Sequence, residues 1–278
     1  MIEISTDNLR VSGFTLLEMM IAVATGFIVI SATCIFYMNQ TKTHEDHQMI
    51  VEMQQNGRAG VTVLSNELLF AGYSPVDRVD GGVGKLAGIE EAGIHNIKFS
   101  YDANGNGKID KPSYNPNKEQ TQYEFKSTEG KILRNGYNNW FMDDVASLSF
   151  LYAYDLDDLG ATNGGYGVLE KDASKNTIWA FDSDGGGNLD KYYTINESTG
   201  DLSNSTKALT PEIPFSRIRA VKVWVLLKSK NSKKTDFSDP TLGDVPQTDG
   251  VLDYASDLDS RHAHRLYSTT VKLRNMYY

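Results

Sequence analysis

Residues Gly13–Glu18, Gly-Phe-Thr-Leu-Leu-Glu, open an almost wholly apolar segment, FTLLEMMIAVATGFIVISATCIFYM, which ends at Met38. A helix of roughly 25 residues is about 37 Å long, which exceeds the hydrocarbon core of about 30 Å. The segment has no proline, and its small residues allow another helix to approach closely. The sequence therefore predicts a membrane-spanning helix over residues 14–38.

An ordinary signal anchor and a secretory signal peptide are the alternatives for this segment. A cleaved signal peptide has an apolar region of about 7–15 residues that ends at a small-residue cleavage site. Here the apolar run is longer, and the candidate processing site at Gly13 precedes it. The pattern favours a retained helix over a cleaved peptide.

Glu18 is the unusual residue of the segment, because a carboxylate in hydrocarbon costs several kcal/mol unless it is paired. No Lys, Arg or His lies between Phe14 and Lys42. Cleavage after Gly13 would create an amine on Phe14, four residues before Glu18 and on the same face of a helix. We interpret this amine, of the same chain or of a neighbouring helix, as the partner of Glu18.

The sequence GFTLLEMMIA from Gly13 resembles the type III signal of type IV prepilins and type II secretion pseudopilins. The resemblance implies that residues 1–13 are a leader and that a prepilin peptidase cuts between Gly13 and Phe14. It also implies that Phe14 is N-methylated and that Glu18 helps to recruit subunits into a filament. The leader departs from the family, since it holds Glu3, Asp7 and only one Arg.

Two further stretches resemble PilW-type minor pilins: Val51–Pro75 and the segment from Arg265 to Asn275. This resemblance implies a subunit held in the inner membrane by one helix, with its head outside the cytoplasm, and later a place in a surface pilus. Its partners would be other pilins, bound through the N-terminal helix. A J-class pseudopilin of type II secretion is the related alternative.

Residues 39–72 continue the helix as an amphipathic half. Gly57 and Gly60 each weaken it by roughly 1 kcal/mol relative to Ala, and they indicate a bend or a close contact with a sheet. Gly72 and Pro75 form a stop signal, so we expect the helix to cover residues 14–72. Apolar residues recur at helical spacing at Ile50, Met53, Val61, Leu64, Leu68 and Ala71.

After Pro75 the pattern changes to alternating β-branched and aromatic residues, which is typical of strands. Polar loops are predicted at Gly160–Gly167, Asn196–Ser205 and Ser229–Gly250. The sequence thus predicts an α+β fold of the type IV pilin kind, with the long helix packed on an antiparallel β-sheet head, residues 73–278. The predicted strands are Ile94–Tyr101, Gln120–Lys126, Lys131–Arg134, Val145–Tyr154, Asn176–Phe181, Ile218–Lys228 and Leu266–Arg274.

The first acidic loop follows the spacing of a calcium-binding loop, in which oxygen donors alternate around a tight turn. Ser113 stands where the bidentate acid at the twelfth position is expected, so another carboxylate would have to reach in. A plain hairpin turn is the alternative, because Asn-Gly is a common hairpin signal. The candidate calcium ligands are Asp102, Asn104, Asn106, Lys108 through its backbone carbonyl, and Asp110.

The second acidic loop is a weaker copy of the same pattern. Gly186 offers no side-chain donor at the fifth position, and Tyr193 stands at the twelfth. A hairpin turn is again the alternative. The candidate ligands here are Asp182, Asp184, Asn188 and Asp190, and Ca²⁺ is the only cofactor that the sequence predicts.

Composition bounds the function. The formal net charge is −9 without a basic stripe, which argues against nucleic acid as the main partner. The only cysteine, Cys34, lies in the apolar segment, and no serine-hydrolase or zinc-protease motif occurs, so we expect no enzyme.

We expect a tip-proximal minor pilin, because a large irregular head is easier to place at a tip than in a shaft. A membrane-anchored hydrolase or calcium-dependent adhesion module is the alternative of another class.

Overall fold

The computed structural model describes residues 13–74, 88–107, 109–110, 119–136, 139–156, 169–196, 199, 201–203, 205–232, 245–247, 250–252 and 261–276. Most of the leader (1–12), Pro75, Lys108, Ser113 and the loop 160–167 lie outside these ranges. The chain divides into two compact units, residues 1–48 and 49–278.

One helix, two main antiparallel sheets and a small hairpin make up the described chain. The five-stranded sheet has the order β1-β2-β3-β4-β5, and the six-stranded sheet has the order β13-β10-β6-β7-β8-β9. The elements are α1 (Leu16–Leu68), β1 (Ile89–Ala92), β2 (Asn96–Ser100), β3 (Gln120–Lys126), β4 (Lys131–Arg134), β5 (Trp140–Met142), β6 (Val145–Tyr154), β7 (Ile178–Phe181), β8 (Asn188–Thr194), β9 (Lys207–Pro214), β10 (Ile218–Lys228), β11 (Val245–Gln247), β12 (Gly250–Leu252) and β13 (His264–Lys272). The predicted α+β class, with a long N-terminal helix and antiparallel strands, is confirmed.

The first unit is helical from Leu16 onward, and its apolar side chains are exposed. Its most apolar window has a mean hydropathy of 2.3, and none of that window is buried. The hydroxyls inside it bond to the helix itself: Thr25 to the Ile21 carbonyl at 2.9 Å and Thr33 to the Val29 carbonyl at 2.8 Å. The helix is therefore long and apolar enough to cross a membrane, and these polar side chains need no outside partner.

The helix is shorter at both ends than the predicted range of 14–72. It begins at Leu16 and ends at Leu68. Beyond Leu68 the chain tightens into a turn, in which the Ala71 N–H donates to the Leu68 carbonyl at 3.0 Å. Gly72 has a positive φ of 78°, and its N–H donates to the Ser100 carbonyl of β2 at 3.0 Å. The glycine that was expected to stop the helix thus ends the following turn instead.

In the second unit, the helix and the turn after it bury four of the six predicted apolar residues, and Ile50 and Val61 are half-buried. Met53, Leu64, Leu68 and Ala71 belong to the core, together with residues of both large sheets. The amphipathic character of this part of α1 is therefore confirmed.

Gly57 and Gly60 bring the helix backbone against two sheet edges. A Cβ atom on Gly57 would lie 2.2 Å from Cε2 of Tyr267 in β13, and one on Gly60 would lie 1.6 Å from Cε of Met142 in β5. Strands β13 and β5 are the edges of the six-stranded and five-stranded sheets. Of the two predictions for these glycines, the close contact is the one found.

A polar cluster ties the end of the helix to the five-stranded sheet. Arg134 of β4 donates to Glu67 of α1 through Nη2 (2.7 Å to Oε1) and Nε (3.1 Å to Oε2). The hydroxyl of Tyr123 in β3 donates to Oε2 of Glu67 at 2.5 Å. Burial raises the pKa of Tyr123, and the hydrogen bond to Glu67 raises it further. The cluster fixes the helix in one register on the sheet, because a shift would leave a partly buried charge without its partner.

Strands β3, β4, β6 and β10 have the predicted bounds, and the predicted antiparallel β head contains two large sheets. The central strands β6 and β10 are buried along almost their whole length. Such continuous burial requires cover on both faces, which one helix under one sheet cannot supply. A second sheet and the β11–β12 hairpin provide layers that the sequence did not predict.

The sequence analysis did not predict six of the described strands: β1, β5, β8, β9, β11 and β12. Strand β9 contains Pro211 and Pro214, and prolines are tolerated there because β9 is an edge strand. Within the predicted loop Ser229–Gly250, Val245 is buried and its strand pairs with β12, so the prediction of a surface loop was wrong there.

We expect Gly57→Ala to destabilise the protein by about 1–3 kcal/mol, since the added methyl must displace the Tyr267 ring. The gain in helix propensity, about 1 kcal/mol, is too small to compensate. Urea unfolding of the full chain in detergent measures the effect. Gly26→Ala is the matched control, because no atom of the described chain lies within 4 Å of its Cβ position. A Gly57→Ala protein as stable as the parent would show that the helix does not need this close approach.

Candidate functional site

The candidate processing bond lies in the described residues just ahead of the helix. Gly13 and Phe14 are not helical, and the Phe14 side chain is 87% exposed. The peptide bond between them is therefore outside the hydrogen-bonded helix, which begins at Leu16.

Glu18 has a partner that the sequence analysis missed. Its Oε2 accepts hydrogen bonds from the Thr15 N–H at 2.8 Å and from the Thr15 hydroxyl at 3.0 Å. The Thr15 hydroxyl in turn accepts from the Glu18 N–H at 3.2 Å. This reciprocal pair is a capping box, and its Thr-x-x-Glu signal was present in the sequence.

The expectation that Glu18 pairs with an amine on Phe14 concerns the cut chain and stays a prediction. In the uncut chain, Phe14 precedes the helix, and Glu18 bends back to satisfy the first backbone donors. Its carboxylate consequently points toward the start of the helix, next to the residue that would carry a new amine after cleavage.

The first acidic loop is built around Asp102, which is fully buried. Its Oδ1 accepts from the N–H groups of Gly105 at 2.7 Å and Asn106 at 3.2 Å, and its Oδ2 accepts from Gly107 at 2.9 Å. The side chain of Asn104 accepts from the Asn106 N–H at 2.9 Å. Gly105 and Gly107 have φ values of 73° and 72°, which favour glycine. The loop therefore wraps its backbone donors around one carboxylate.

Glu119 is a member of this loop that the spacing did not reveal. It is fully buried and directly precedes β3. Its Oε1 accepts from Ala103 at 3.0 Å and Asn104 at 3.2 Å, and its Oε2 accepts from Asp110 at 2.7 Å. A second carboxylate therefore reaches into the loop that has Ser113 at its twelfth position.

The predicted side-chain ligands of the first loop partly converge. The amide nitrogens of Asn104 and Asn106 lie 2.8 Å and 3.4 Å from Oδ2 of Asp110. Asp102 is turned toward the backbone, and Lys108 lies outside the described residues. Because calcium is bound by oxygen, these amide groups would have to turn their oxygens toward an ion.

The second acidic loop repeats the backbone plan of the first. Oδ1 of Asp182 accepts from Gly185 at 2.7 Å and Gly186 at 3.2 Å, and its Oδ2 accepts from Gly187 at 3.0 Å. Asp184 accepts from the Gly186 N–H at 2.7 Å. Gly185 and Gly187 again have positive φ values, 78° and 87°. Two segments that resembled each other only weakly in sequence thus adopt the same turn.

Three of the four predicted ligands of this second loop come together. Carboxylate oxygens of Asp182, Asp184 and Asp190 lie within 4.8 Å of one another. Asp190 also accepts from the N–H of Ser183 at 2.6 Å, which is the role that Glu119 plays for Ala103 in the first loop. The side chain of Asn188 lies elsewhere, since its amide donates to Glu212 at 3.3 Å.

The hairpin alternative and the metal alternative are compatible at the second loop. Strands β7 and β8 on its two sides pair antiparallel, so the loop is a hairpin connection. Three converging carboxylates in a tight turn are also a suitable set for a hard cation such as Ca²⁺.

The comparisons with known proteins find likeness in structure and none in sequence. No protein-family model and no curated protein matches the sequence. The chain is similar to the solved structure of a type IV-like pilin from Thermus thermophilus, with a TM-score of 0.36 and 11% sequence identity. The likeness covers 81% of this chain and 98% of that chain. Backbones with so low a score superimpose loosely, so no residue is carried from that protein to this one.

We expect Glu119→Gln to destabilise the protein by about 1–3 kcal/mol. In the variant, the side-chain NH2 group is a buried donor that faces backbone N–H groups. In the parent protein, these N–H groups donate to the Glu119 carboxylate. Urea unfolding of the full chain measures the loss. Glu129→Gln removes the same charge from an exposed turn residue and should change stability by no more than about 0.5 kcal/mol. Equal stability of the two variants would contradict the role of Glu119 as the clamp of the loop.

Proposed function

We propose that this chain is a type IV prepilin-like filament subunit. The observation that carries the proposal is an exposed, apolar N-terminal helix headed by the Gly13–Glu18 motif and followed by an antiparallel β head. Exposed apolar side chains on this scale need either lipid or other helices to cover them. A subunit that is first anchored in a bilayer and then packed in a filament meets both requirements in turn.

Processing is the first step of the proposed function. A prepilin peptidase cuts between Gly13 and Phe14, and Phe14 is then N-methylated. The position of this bond ahead of the helix supports the step, because a peptidase needs a locally extended backbone. Among the described residues, no atom lies within 4 Å of the Cβ position of Gly13, so they leave the bond open.

Assembly is the second step. Cleavage leaves Phe14 with an amine next to Thr15, whose N–H already binds the Glu18 carboxylate. Glu18 neutralises this amine, or the amine of a neighbouring subunit, as the helix leaves the bilayer. The pairing removes two charges from an apolar setting at once, which favours the packed filament.

Within this class, the proposed subunit is a PilW-type minor pilin that acts in pilus assembly or initiation close to the tip. It resides in the inner membrane with its head outside the cytoplasm before assembly. The PilW-like segments, one in the helix before the head and one near its C-terminal end, and the size of the head support this assignment. A J-class pseudopilin of type II secretion is the alternative. The proposal includes no catalytic role.

Gly13→Leu and Glu18→Ala should fail at different steps. The Gly13→Leu protein should remain at its precursor size, because the peptidase no longer accepts the residue before the bond. The Glu18→Ala protein should be cleaved, yet its amount in sheared filaments should fall by about tenfold. Gels of whole cells and of isolated filaments measure both outcomes. Normal cleavage of Gly13→Leu would overturn the processing site, and normal incorporation of Glu18→Ala would overturn the pairing.

Calcium binding by the head is a second proposed function, and it would suit a calcium-dependent adhesion or binding module. The observation that favours it is the convergence of Asp182, Asp184 and Asp190. In the first loop, Glu119 supports the same proposal, because it adds a carboxylate near Asp110. The ion would hold each turn in one shape.

Millimolar calcium should raise the melting temperature of the full chain in detergent. An ion that binds only the folded state at tenfold its dissociation constant adds about 1.4 kcal/mol, or a few °C. Asp184→Asn should remove much of this shift, whereas Asp201→Asn, an exposed acid elsewhere, should keep it. A melting temperature that is indifferent to both calcium and chelator would overturn the proposal.

A further inference from the structure

A cleft of about 410 Å³ opens between the turn that joins β1 to β2 and the second acidic loop. Residues 90–96 form one wall, and Asp182, Ser183 and two glycines of the loop form the other. Phe215, in the short helical turn Phe215–Arg217 before β10, also lines the cleft. Its volume falls in the range of about 300–1,000 Å³ that is usual for binding pockets.

The walls of the cleft are held by buried hydrogen bonds. The Asp182 N–H donates to the Ala92 carbonyl at 2.9 Å, and the Phe150 N–H donates to the Ile94 carbonyl at 2.8 Å. The Tyr152 hydroxyl lies within reach of the Gly93 carbonyl (3.1 Å) and the Asn96 carbonyl (3.3 Å). Strands of both large sheets fix these groups, so the cleft is pre-formed.

The polar lining is rich in acceptors. The ionisable residues of the lining are Glu90, Glu91, Asp182 and His95, and neither Lys nor Arg lines the cleft among the described residues. Lys98, which is not part of the lining, lies 3.4 Å from Glu90 and 3.8 Å from Glu91 and offsets one charge. The lining therefore keeps a net negative charge.

Two of these acids lie close enough to the buried Tyr152 hydroxyl to act on its charge. The pKa of the Tyr152 hydroxyl is raised by burial, and the charges of Asp182 and Glu91 raise it further. Both carboxylates therefore act on the same place at the base of the β1–β2 turn. Apolar surface lies beside them, since Ala92, Ile94 and Phe215 line the same cleft.

We propose that this cleft binds the cationic end of a Lys or Arg side chain presented by a partner protein. The ammonium or guanidinium group lies between Glu91 and Asp182, and the alkyl stem packs against Phe215 and Ile94. Such side chains bury an apolar stem while a charged head meets acceptors, which is the combination that the cleft offers. The inference goes beyond the filament role and does not depend on processing. The cleft shares Asp182 with the proposed calcium site, so a bound calcium ion would weaken binding of the cation.

Peptide binding to the full chain in detergent tests the inference. The probes are acetyl-Gly-Arg-Gly-amide and its neutral citrulline counterpart, measured by saturation-transfer NMR with chelator in every sample. We expect the citrulline peptide to bind at least about tenfold more weakly, because it keeps the shape and loses the charge. Equal binding of the two peptides would overturn the inference. Absence of binding by either peptide at about 10 mM would also overturn it.

Matched variants locate the site. Glu91→Gln should lower the affinity for the Arg peptide by about tenfold. Glu91→Asp, which retains the charge, should keep most of that affinity. Glu129→Gln removes a charge that does not line the cleft and should have no effect. Unchanged affinity in Glu91→Gln, with circular dichroism like that of the parent, would overturn the assignment.

Competition with putrescine, a small diamine, distinguishes a cationic side chain of a partner protein from a free amine as the ligand of the cleft. Competition by putrescine that is weaker than that of the Arg peptide supports a side chain on a partner. If putrescine binds and the peptide does not, the partner-protein part of the inference is overturned, and the cleft is a site for small amines.

Discussion

The close approach of α1 to two sheet edges is the contact on which the second unit depends. At Gly57 and Gly60, the helix backbone meets Tyr267 of β13 and Met142 of β5 with no room for a Cβ atom. Met53, Leu64 and Leu68 enter the shared core beside these contacts. Glu67 then fixes the register of the helix through Arg134 and Tyr123. One helix face therefore joins two sheets into one core.

The strands that the sequence predicted share a physical property. Strands β3, β6 and β10 contain continuous or alternating apolar runs that are long enough to be recognised as strands in the sequence. They occupy central positions in the sheets. The missed strands are short, polar or proline-containing, as in β5 and β9. Such segments become strands because a neighbour supplies hydrogen bonds, and a single sequence does not say which neighbour that is.

The candidate sites show the same division between local and distant information. The positions of Asp102, Asp182 and their glycines could be read from local spacing, because a tight turn determines them. Glu119 could not, because it reaches the first loop from the start of the next strand. The Thr15–Glu18 box was local and readable, whereas the sequence interpretation paired Glu18 with an amine on Phe14 and overlooked the nearest backbone donor.

The hydroxyls of the first unit have a consequence for how this helix recognises its surroundings. Thr25, Ser31 and Thr33 return their hydrogen bonds to carbonyls one turn earlier. Few polar groups therefore remain to form hydrogen bonds with a specific neighbouring helix. Beyond Glu18, a helix of this kind is held by shape and contact area, so lipid tails and other helices offer it equivalent surroundings. It can exchange one environment for the other without breaking a polar bond.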